Sequence, residues 1–85
     1  MRVVCVWREG YDYSRTVEDW LVNFERFTGK EIESIDPGTR EGEEFCRAYD
    51  IVEYPTMMAL SDDGAVLETW RGKMLPTVDE VNYWA

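Results

Sequence analysis

Apolar residues in the first third of the chain form two different patterns. Residues 3–7 are a continuous apolar and largely β-branched run, V-V-C-V-W, typical of a central strand covered on both faces. After a polar loop over residues 8–15, apolar residues recur every three or four positions, which predicts an amphipathic helix. Thr16 is its expected N-cap and Gly29 its expected end. The residues expected on its buried face are Val17, Trp20, Leu21, Phe24 and Phe27.

The middle of the chain predicts a short strand and a short helix. Residues 31–35 favour a strand, which ends at the turn formed by Asp36-Pro37-Gly38. Residues 40–49 favour a helix with a glycine, Gly42, inside it, and a helical glycine costs about 1 kcal/mol relative to alanine. We therefore expect this helix to be short. Its expected apolar stripe consists of Phe45, Ala48 and Tyr49.

Two strands and a last helix are predicted after Pro55. Residues 56–60 and 65–71 are β-type runs, and Asp62-Asp63-Gly64 between them is a hairpin turn sequence. The second run mixes polar and apolar residues on both faces, which suits a strand at the edge of a sheet. Thr77 precedes Glu80 by three residues and forms a capping-box sequence at the start of the last helix.

The predicted order of elements is β-α-β-α-β-β-α. Its first β-α-β unit implies a parallel strand pair with a right-handed crossover, and the hairpin adds antiparallel strands. This mixed order predicts an α/β fold, with a four-stranded mixed sheet flanked by three helices. With 85 residues the chain is long enough for one small domain, and we expect residues 1–85 to form it.

The excess of acidic residues over basic residues restricts the classes of partner that the chain is expected to bind. Lysine and arginine number 9 against 18 aspartates and glutamates, so the formal net charge is −9. Such a surface repels phosphate backbones, so we expect no nucleic-acid partner. It favours basic proteins or peptides, although acidity also serves simply to keep a small protein soluble. We expect the chain to be a monomer.

The sequence lacks the residues that general-base catalysis and metal binding most often use. The chain has no histidine, which removes the commonest general base and the commonest metal ligand. The acidic groups at 41–44 and 62–63 lack EF-hand spacing, so neither a metal nor a cofactor is expected. No apolar stretch approaches the roughly 20 residues of a membrane span, and we expect no signal peptide. We expect no membrane association and a cytoplasmic location with reduced thiols.

A longer sequence pattern surrounds Tyr54-Pro55-Thr56. The string from Ala48 to Leu60, followed by Asp63-Gly64 and then by Gly72, resembles the C-terminal half of thioredoxin. The resemblance is specific from about residue 35 to residue 72. It implies the minimal thioredoxin-like fold, the one that glutaredoxins use, and a cis peptide bond between Tyr54 and Pro55.

The thiols that the thioredoxin family uses are missing from their place. In the family, a C-x-x-C motif lies between the first strand and the next helix, where the helix N-terminus stabilises a thiolate. The corresponding stretch here, residues 11–16, contains no cysteine, which argues against disulfide exchange by the family mechanism. Cys5 is expected to be a buried, inert residue of the first strand. Cys46, on the second helix, is either a partly exposed redox thiol or a structural cysteine.

The aromatic residues are better candidates for a functional site than the two cysteines. In the family, the residue before the cis proline presents its backbone to an extended peptide. By that resemblance Tyr54 and Pro55 border a peptide groove, with Tyr11 and Tyr13 opposite them. Tyrosines are frequent in binding surfaces, but they also serve to cover a core.

Two functions from different classes therefore remain open. The first is a non-catalytic thioredoxin-like domain that binds a protein or peptide beside Pro55. The second is a divergent thiol-dependent oxidoreductase that uses Cys46 or a thiol of a partner. A third hypothesis is a stable domain that works only when fused or tethered within a larger assembly.

Overall fold

The computed structural model describes residues 1–85 and contains seven regular elements in the predicted order. The strands and helices follow one another in the order that the sequence patterns indicate, and the element bounds agree with the prediction to within two residues, except at the start of α1, which differs by three. The elements are β1 (Arg2–Val6), α1 (Ser14–Thr28), β2 (Glu33–Ile35), α2 (Arg40–Ala48), β3 (Thr56–Leu60), β4 (Val66–Arg71) and α3 (Val78–Asn82).

The four strands form one mixed sheet in the order β2-β1-β3-β4. β1 is parallel to β2, with Val4 opposite Glu33, and antiparallel to β3, with Val4 opposite Met58. β3 is antiparallel to β4, which lies at the edge as its mixed pattern predicts. The two inner strands, β1 and β3, are buried almost throughout because helices cover both of their faces. The fold is an α/β fold of the predicted class.

The alternation of side chains along the inner strands divides the core into two layers. Val3 and Cys5 face α1 and α3, together with Phe24 and Val81 from those helices. Val4 and Val6 face the other side of the sheet, where α2 supplies Cys46. Tyr54 packs against both layers, because it lies at the loop where the chain enters β3. None of the helices has the length and apolar content that would allow it to cross a bilayer.

The start of α1 differs from the prediction. The helix begins at Ser14, with Tyr13 as the N-cap residue, and not after Thr16. The physical reason is the Ser14 hydroxyl, which donates to the carbonyl of Arg8 at 2.5 Å and accepts from the N–H of Tyr11 at 3.0 Å. These bonds close a turn, so that the helix begins three residues earlier than predicted. Gly29 ends the helix as predicted, with φ of 71°.

The buried face of α1 is narrower than predicted. Phe24 and Val17 are fully buried, but Phe27 is 74% exposed, so its placement on the buried face was wrong. At 100° per residue Phe27 lies about 80° around the helix axis from Val17, whereas Phe24 lies about 20° from it. A three-residue step at the end of the helix therefore turns the side chain away from the sheet. The same applies to Ala48 at the end of α2, which is also exposed.

The two shorter helices begin at side-chain caps. Thr39 caps α2 by accepting from the N–H of Gly42 at 3.0 Å. Thr77 and Glu80 form the predicted capping box at the start of α3, with each side chain bonded to the backbone of the other residue. These local bonds explain why helices of nine and five residues form at their predicted positions.

Candidate functional site

The loop between β1 and α1 folds back on itself. Besides the two bonds of Ser14, the Tyr13 hydroxyl accepts a hydrogen bond from the N–H of Arg8 at 3.1 Å. Gly10 has φ of 86°, a left-handed conformation that the turn requires and that favours glycine. The loop is therefore held by its own polar groups at the end of the sheet where the chain enters α1. No sulfur atom lies in this loop, since both cysteines belong to regular elements.

Tyr11 and Tyr13 stack on each other in this loop. Their ring centroids are 5.8 Å apart with an angle of 7° between the planes, and the Arg8 guanidinium lies 5.8 Å from the Tyr11 ring. Tyr11 is 54% exposed, whereas Tyr13 is buried. Of this pair, Tyr11 presents surface to solvent and Tyr13 supports it from behind.

The loop that precedes β3 leaves backbone groups without partners. The Tyr54–Pro55 peptide bond is cis. Thr56 Oγ1 donates to the carbonyl of Glu53 at 2.6 Å, and the Pro55 carbonyl accepts from the N–H of Gly72 at 2.9 Å. Between these anchors, neither the N–H nor the C=O of Tyr54 makes a hydrogen bond within the chain.

A small cavity of about 110 Å³ lies beside Pro55. Its buried walls come from Tyr13, Val17 and Pro55. At its solvent side, Lys73 Nζ lies 2.5 Å from Asp12 Oδ2, and both side chains are exposed. The hydrogen bond from Lys73 is the main reason that the pKa of Asp12 lies below its ordinary value. The cavity is therefore apolar inside and carries an ion pair at its mouth.

A larger open cavity of about 480 Å³ adjoins the other face of the tyrosine pair. Trp7 and Tyr11 line it together with one cation, Arg15, and three carboxylates that make no ion pair within the chain, those of Glu9, Glu18 and Asp19. This region is the acidic flank of the site. Tyr11 lines the acidic flank and Tyr13 lines the small cavity, so the stacked pair of rings stands between them.

Tyr54 connects the site to Cys46. Its side chain is half-buried, and burial is the main cause that raises the pKa of the Tyr54 hydroxyl, with the nearby Cys46 thiol adding to the effect. Cys46 is 8% exposed and belongs to the core layer between the sheet and α2. This burial favours the structural alternative for Cys46 over the partly exposed redox thiol. Neighbouring side chains of the core, including Ile51 and Met58, enclose it.

The structure brings three of the sequence-predicted site residues into one place, with Tyr11 stacked on one of them and Cys46 next to another. Tyr13, Tyr54 and Pro55 lie around the end of the first core layer. Tyr11 lies outside this group on the exposed side of the loop, and Cys46 lies behind Tyr54.

Sequence reasoning missed the residues at the mouth of the small cavity. Asp12 and Lys73 are 61 positions apart, and Leu75 follows in the loop after β4. No local pattern links residues at such a separation. The one indication in the sequence was Gly72, the last residue of the stretch that resembles thioredoxin, which directly precedes Lys73.

Cys5 is the second thiol, and its environment makes a testable prediction. It is fully buried in β1, and burial raises the pKa of its thiol to about 12. Because the thiolate is the reactive species, we expect iodoacetamide at pH 8 to leave Cys5 unlabelled in the folded protein and to label it in 6 M guanidinium. Mass spectrometry of tryptic peptides would report the labelling. Rapid modification of Cys5 without denaturant would contradict its position in the centre of the sheet.

Three solved structures superpose on this chain over nearly its whole length. Thioredoxin 1 from Thermosipho africanus TCF52B superposes with a TM-score of 0.69 at 13% identity, covering 98% of this chain and 88% of its own. A malarial protein gives a TM-score of 0.68 at 12% identity, covering 96% and 89%. A thioredoxin from Thermus thermophilus gives 0.65 at 19% identity, covering 96% and 68%. No protein-family model and no curated protein sequence matches the chain. The chain has a thioredoxin-like fold.

Proposed function

We propose that this thioredoxin-like chain binds an extended segment of a partner protein or peptide beside Pro55, without thiol chemistry of its own. The observation that carries the proposal is the pair of unpartnered backbone groups of Tyr54. A residue before proline is held in the extended region, so its N–H and C=O are presented as those of an edge strand are. An extended ligand pairs with such groups by β-augmentation.

The side chains around Tyr54 suit this mode of binding. Tyr11 offers a large amphipathic ring at the surface, held by Tyr13 behind it, so little rotamer freedom is lost when a ligand covers it. Val52, two residues before Tyr54, is 88% exposed and extends the apolar surface along the same segment. The binding surface that we propose therefore consists of Tyr11, Tyr13, Tyr54 and Pro55, with Val52 at its margin.

The charge of the chain favours basic ligands. The net charge of −9 and the unpaired carboxylates of the acidic flank raise the local concentration of cationic segments and speed their association.

Two free cysteines on opposite sides of the sheet support a reducing compartment such as the cytoplasm.

The oxidoreductase hypothesis receives no support from the position of either thiol. Cys5 lies in β1 and Cys46 in α2, and both are buried, so neither sulfur is placed at the N-terminus of α1. An insulin-reduction assay with dithiothreitol separates the two functions. If the wild-type chain accelerates precipitation of insulin and the Cys46→Ser variant does not, the non-catalytic proposal is wrong.

The binding surface makes a prediction that nuclear magnetic resonance can check. The probe is a phage-displayed library of random heptapeptides, from which the enriched peptides are synthesised and titrated into ¹⁵N-labelled protein. We expect the largest shift changes, and slowed hydrogen exchange, at the Tyr54 amide, because that N–H gains a hydrogen bond. Replacing the exposed Tyr11 ring by alanine should weaken binding by about 1–2 kcal/mol, as for an aromatic anchor of an interface.

A matched variant controls for general effects of losing a surface tyrosine. Tyr83 is 77% exposed near the end of α3 and lies outside the proposed surface, so Tyr83→Ala should leave the dissociation constant unchanged. Peptides that shift the amides of the β4 edge and leave Tyr54 unaffected would move the binding site elsewhere. Failure of the library to yield any binding peptide would contradict the proposed function itself.

A further inference from the structure

We propose that Asp12 and Lys73 form a strap across the mouth of the cavity beside Pro55, and that a basic side chain of the ligand opens it by replacing Lys73 at Asp12. This inference rests on the proposed function and names the ligand chemistry of the same surface. Asp12 is then a specificity-determining residue for a lysine or arginine next to an apolar residue of the ligand.

The geometry of the strap follows from the two loops that it joins. Asp12 belongs to the loop between β1 and α1, and Lys73 to the loop between β4 and α3. Their side chains meet at 2.5 Å, and both line the cavity whose inner wall includes Pro55. The inner wall is buried, whereas the ion pair is mostly exposed, so the pair closes the cavity toward solvent. A ligand that lies along Tyr54 meets this pair before it reaches the cavity.

The cost of opening the strap is small. Ion pairs between exposed side chains contribute little to stability, because water and salt screen them. A ligand cation that takes the place of the Lys73 ammonium restores the same charge pairing at Asp12, so the exchange is close to balanced. Lys73 then swings out on its flexible stem and regains its hydration.

Charge decides between a basic and an acidic ligand at the strap. An acidic side chain would have to displace Asp12 from Lys73, in a region that already contains Glu53. Glu53 lies near the strap, since its Oε2 is 3.2 Å from the position of a Cβ on Gly72, the residue before Lys73. With a net charge of −9, an added carboxylate meets repulsion and an added ammonium meets attraction.

The cavity sets the second requirement of the ligand. Its volume of about 110 Å³ has walls from Val17, Leu75 and the Pro55 ring, which suit one aliphatic side chain. Because alternate residues of an extended ligand share a face, the basic residue should lie two positions from the aliphatic one. The ligand motif is therefore a short extended segment with an aliphatic residue and a lysine or arginine at a spacing of two.

The test repeats the heptapeptide selection with three forms of the full chain: wild type, Asp12→Asn and Lys73→Met. Wild type should enrich lysine or arginine over glutamate and aspartate two positions from an aliphatic residue, and Asp12→Asn should lose that preference. Lys73→Met removes the competing ammonium, so the best lysine peptide should bind about 1.5- to 5-fold more tightly, the range for an exposed ion pair.

Matched variants elsewhere on the surface separate the strap from net charge. Lys30 also uses its ammonium for contacts between distant parts of the chain, to Asn82 and the Ala85 carbonyl, so Lys30→Met alters the net charge as Lys73→Met does. Asp62→Asn likewise matches Asp12→Asn. We expect neither control to change the peptide preference.

Each outcome of the selection decides one of the two proposals. Enriched peptides with no basic preference, or a preference that persists in Asp12→Asn, would overturn the strap while leaving peptide binding intact. Equal affinity of the lysine peptide for wild type and Lys73→Met would also overturn it. If none of the three forms enriches any peptide, the proposed function fails and the strap fails with it.

Discussion

Phe24→Ala should lower the free energy of unfolding by about 3–5 kcal/mol, the usual cost of removing a fully buried phenylalanine. The Phe24 side chain is fully buried between α1 and the sheet, and its ring stacks on Trp20 with centroids 5.3 Å apart. A small domain has a total stability of roughly 5–15 kcal/mol, so the variant loses a large part of it. Urea unfolding followed by tryptophan fluorescence and by circular dichroism would measure the change.

The neighbouring phenylalanine of the same helix provides the matched control. Phe27 is 74% exposed, so Phe27→Ala should change stability by no more than about 0.5 kcal/mol. Residue type, size of the deletion and helix are the same in both variants, and burial is the difference between them. Equal losses in the two variants would show that α1 is rotated about its axis relative to the described structure.

Gly42→Ala should destabilise the protein by about 1–3 kcal/mol, as overpacking does, although alanine is the better helix former. A Cβ on Gly42 would lie 1.8 Å from the carbonyl oxygen of Asp36. That oxygen cannot easily move, because it accepts from the N–H of Thr39 at 3.1 Å and from Thr39 Oγ1 at 2.8 Å. The clash therefore has to distort the cap of α2. The same unfolding measurements would report the loss.

Helix propensity and the contact with Asp36 predict opposite signs for the change in the free energy of unfolding of Gly42→Ala. Helix propensity alone gives a stabilisation of about 1 kcal/mol for glycine to alanine inside a helix, so any gain in stability would contradict the close approach to Asp36. Ala48→Gly is the control in the same helix. Ala48 is exposed, and its replacement should cost no more than about 1 kcal/mol through propensity.

Local patterns were sufficient for most of the fold. The run at residues 3–7 predicted an inner strand, and β1 is indeed paired on both sides. The hairpin turn at Asp62-Asp63-Gly64 and the capping box of Thr77 and Glu80 appear where they were expected. Each of these features depends on residues within a few positions of one another, so a single sequence contains all the information that it needs.

Gly42 shows where a local rule was correct and still incomplete. Propensity described it as a weak point of α2, whereas its contact with Asp36 makes the absence of a side chain a requirement. Phe27 shows a different case, since its three-residue spacing from Phe24 fitted the apolar pattern but turns its ring about 80° from Val17, and it is 74% exposed. The contact of Gly42 with Asp36 joins a helix to the preceding turn, and propensity does not describe such a distance.

The candidate site was predictable in part. The tyrosines and Pro55 were found through the resemblance to thioredoxin, and the structure places Tyr13, Tyr54 and Pro55 together. The contact of Tyr54 with Cys46 and the ion pair of Asp12 with Lys73 had no sequence pattern. Each joins residues from different loops or faces that meet after the sheet has formed.

The amino-acid sequence alone determines the order of strands and helices, the edge position of β4 and the absence of thiols at the start of α1. These features depend on hydrophobic period, turn residues and residue identity, which are short-range properties. The tertiary structure alone decides which tyrosine is covered, which cysteine is enclosed and which charges meet beside Pro55. These features depend on the packing of loops that are separated by tens of residues. That packing is set by the sheet as a whole, since the sheet brings the loops to a common end.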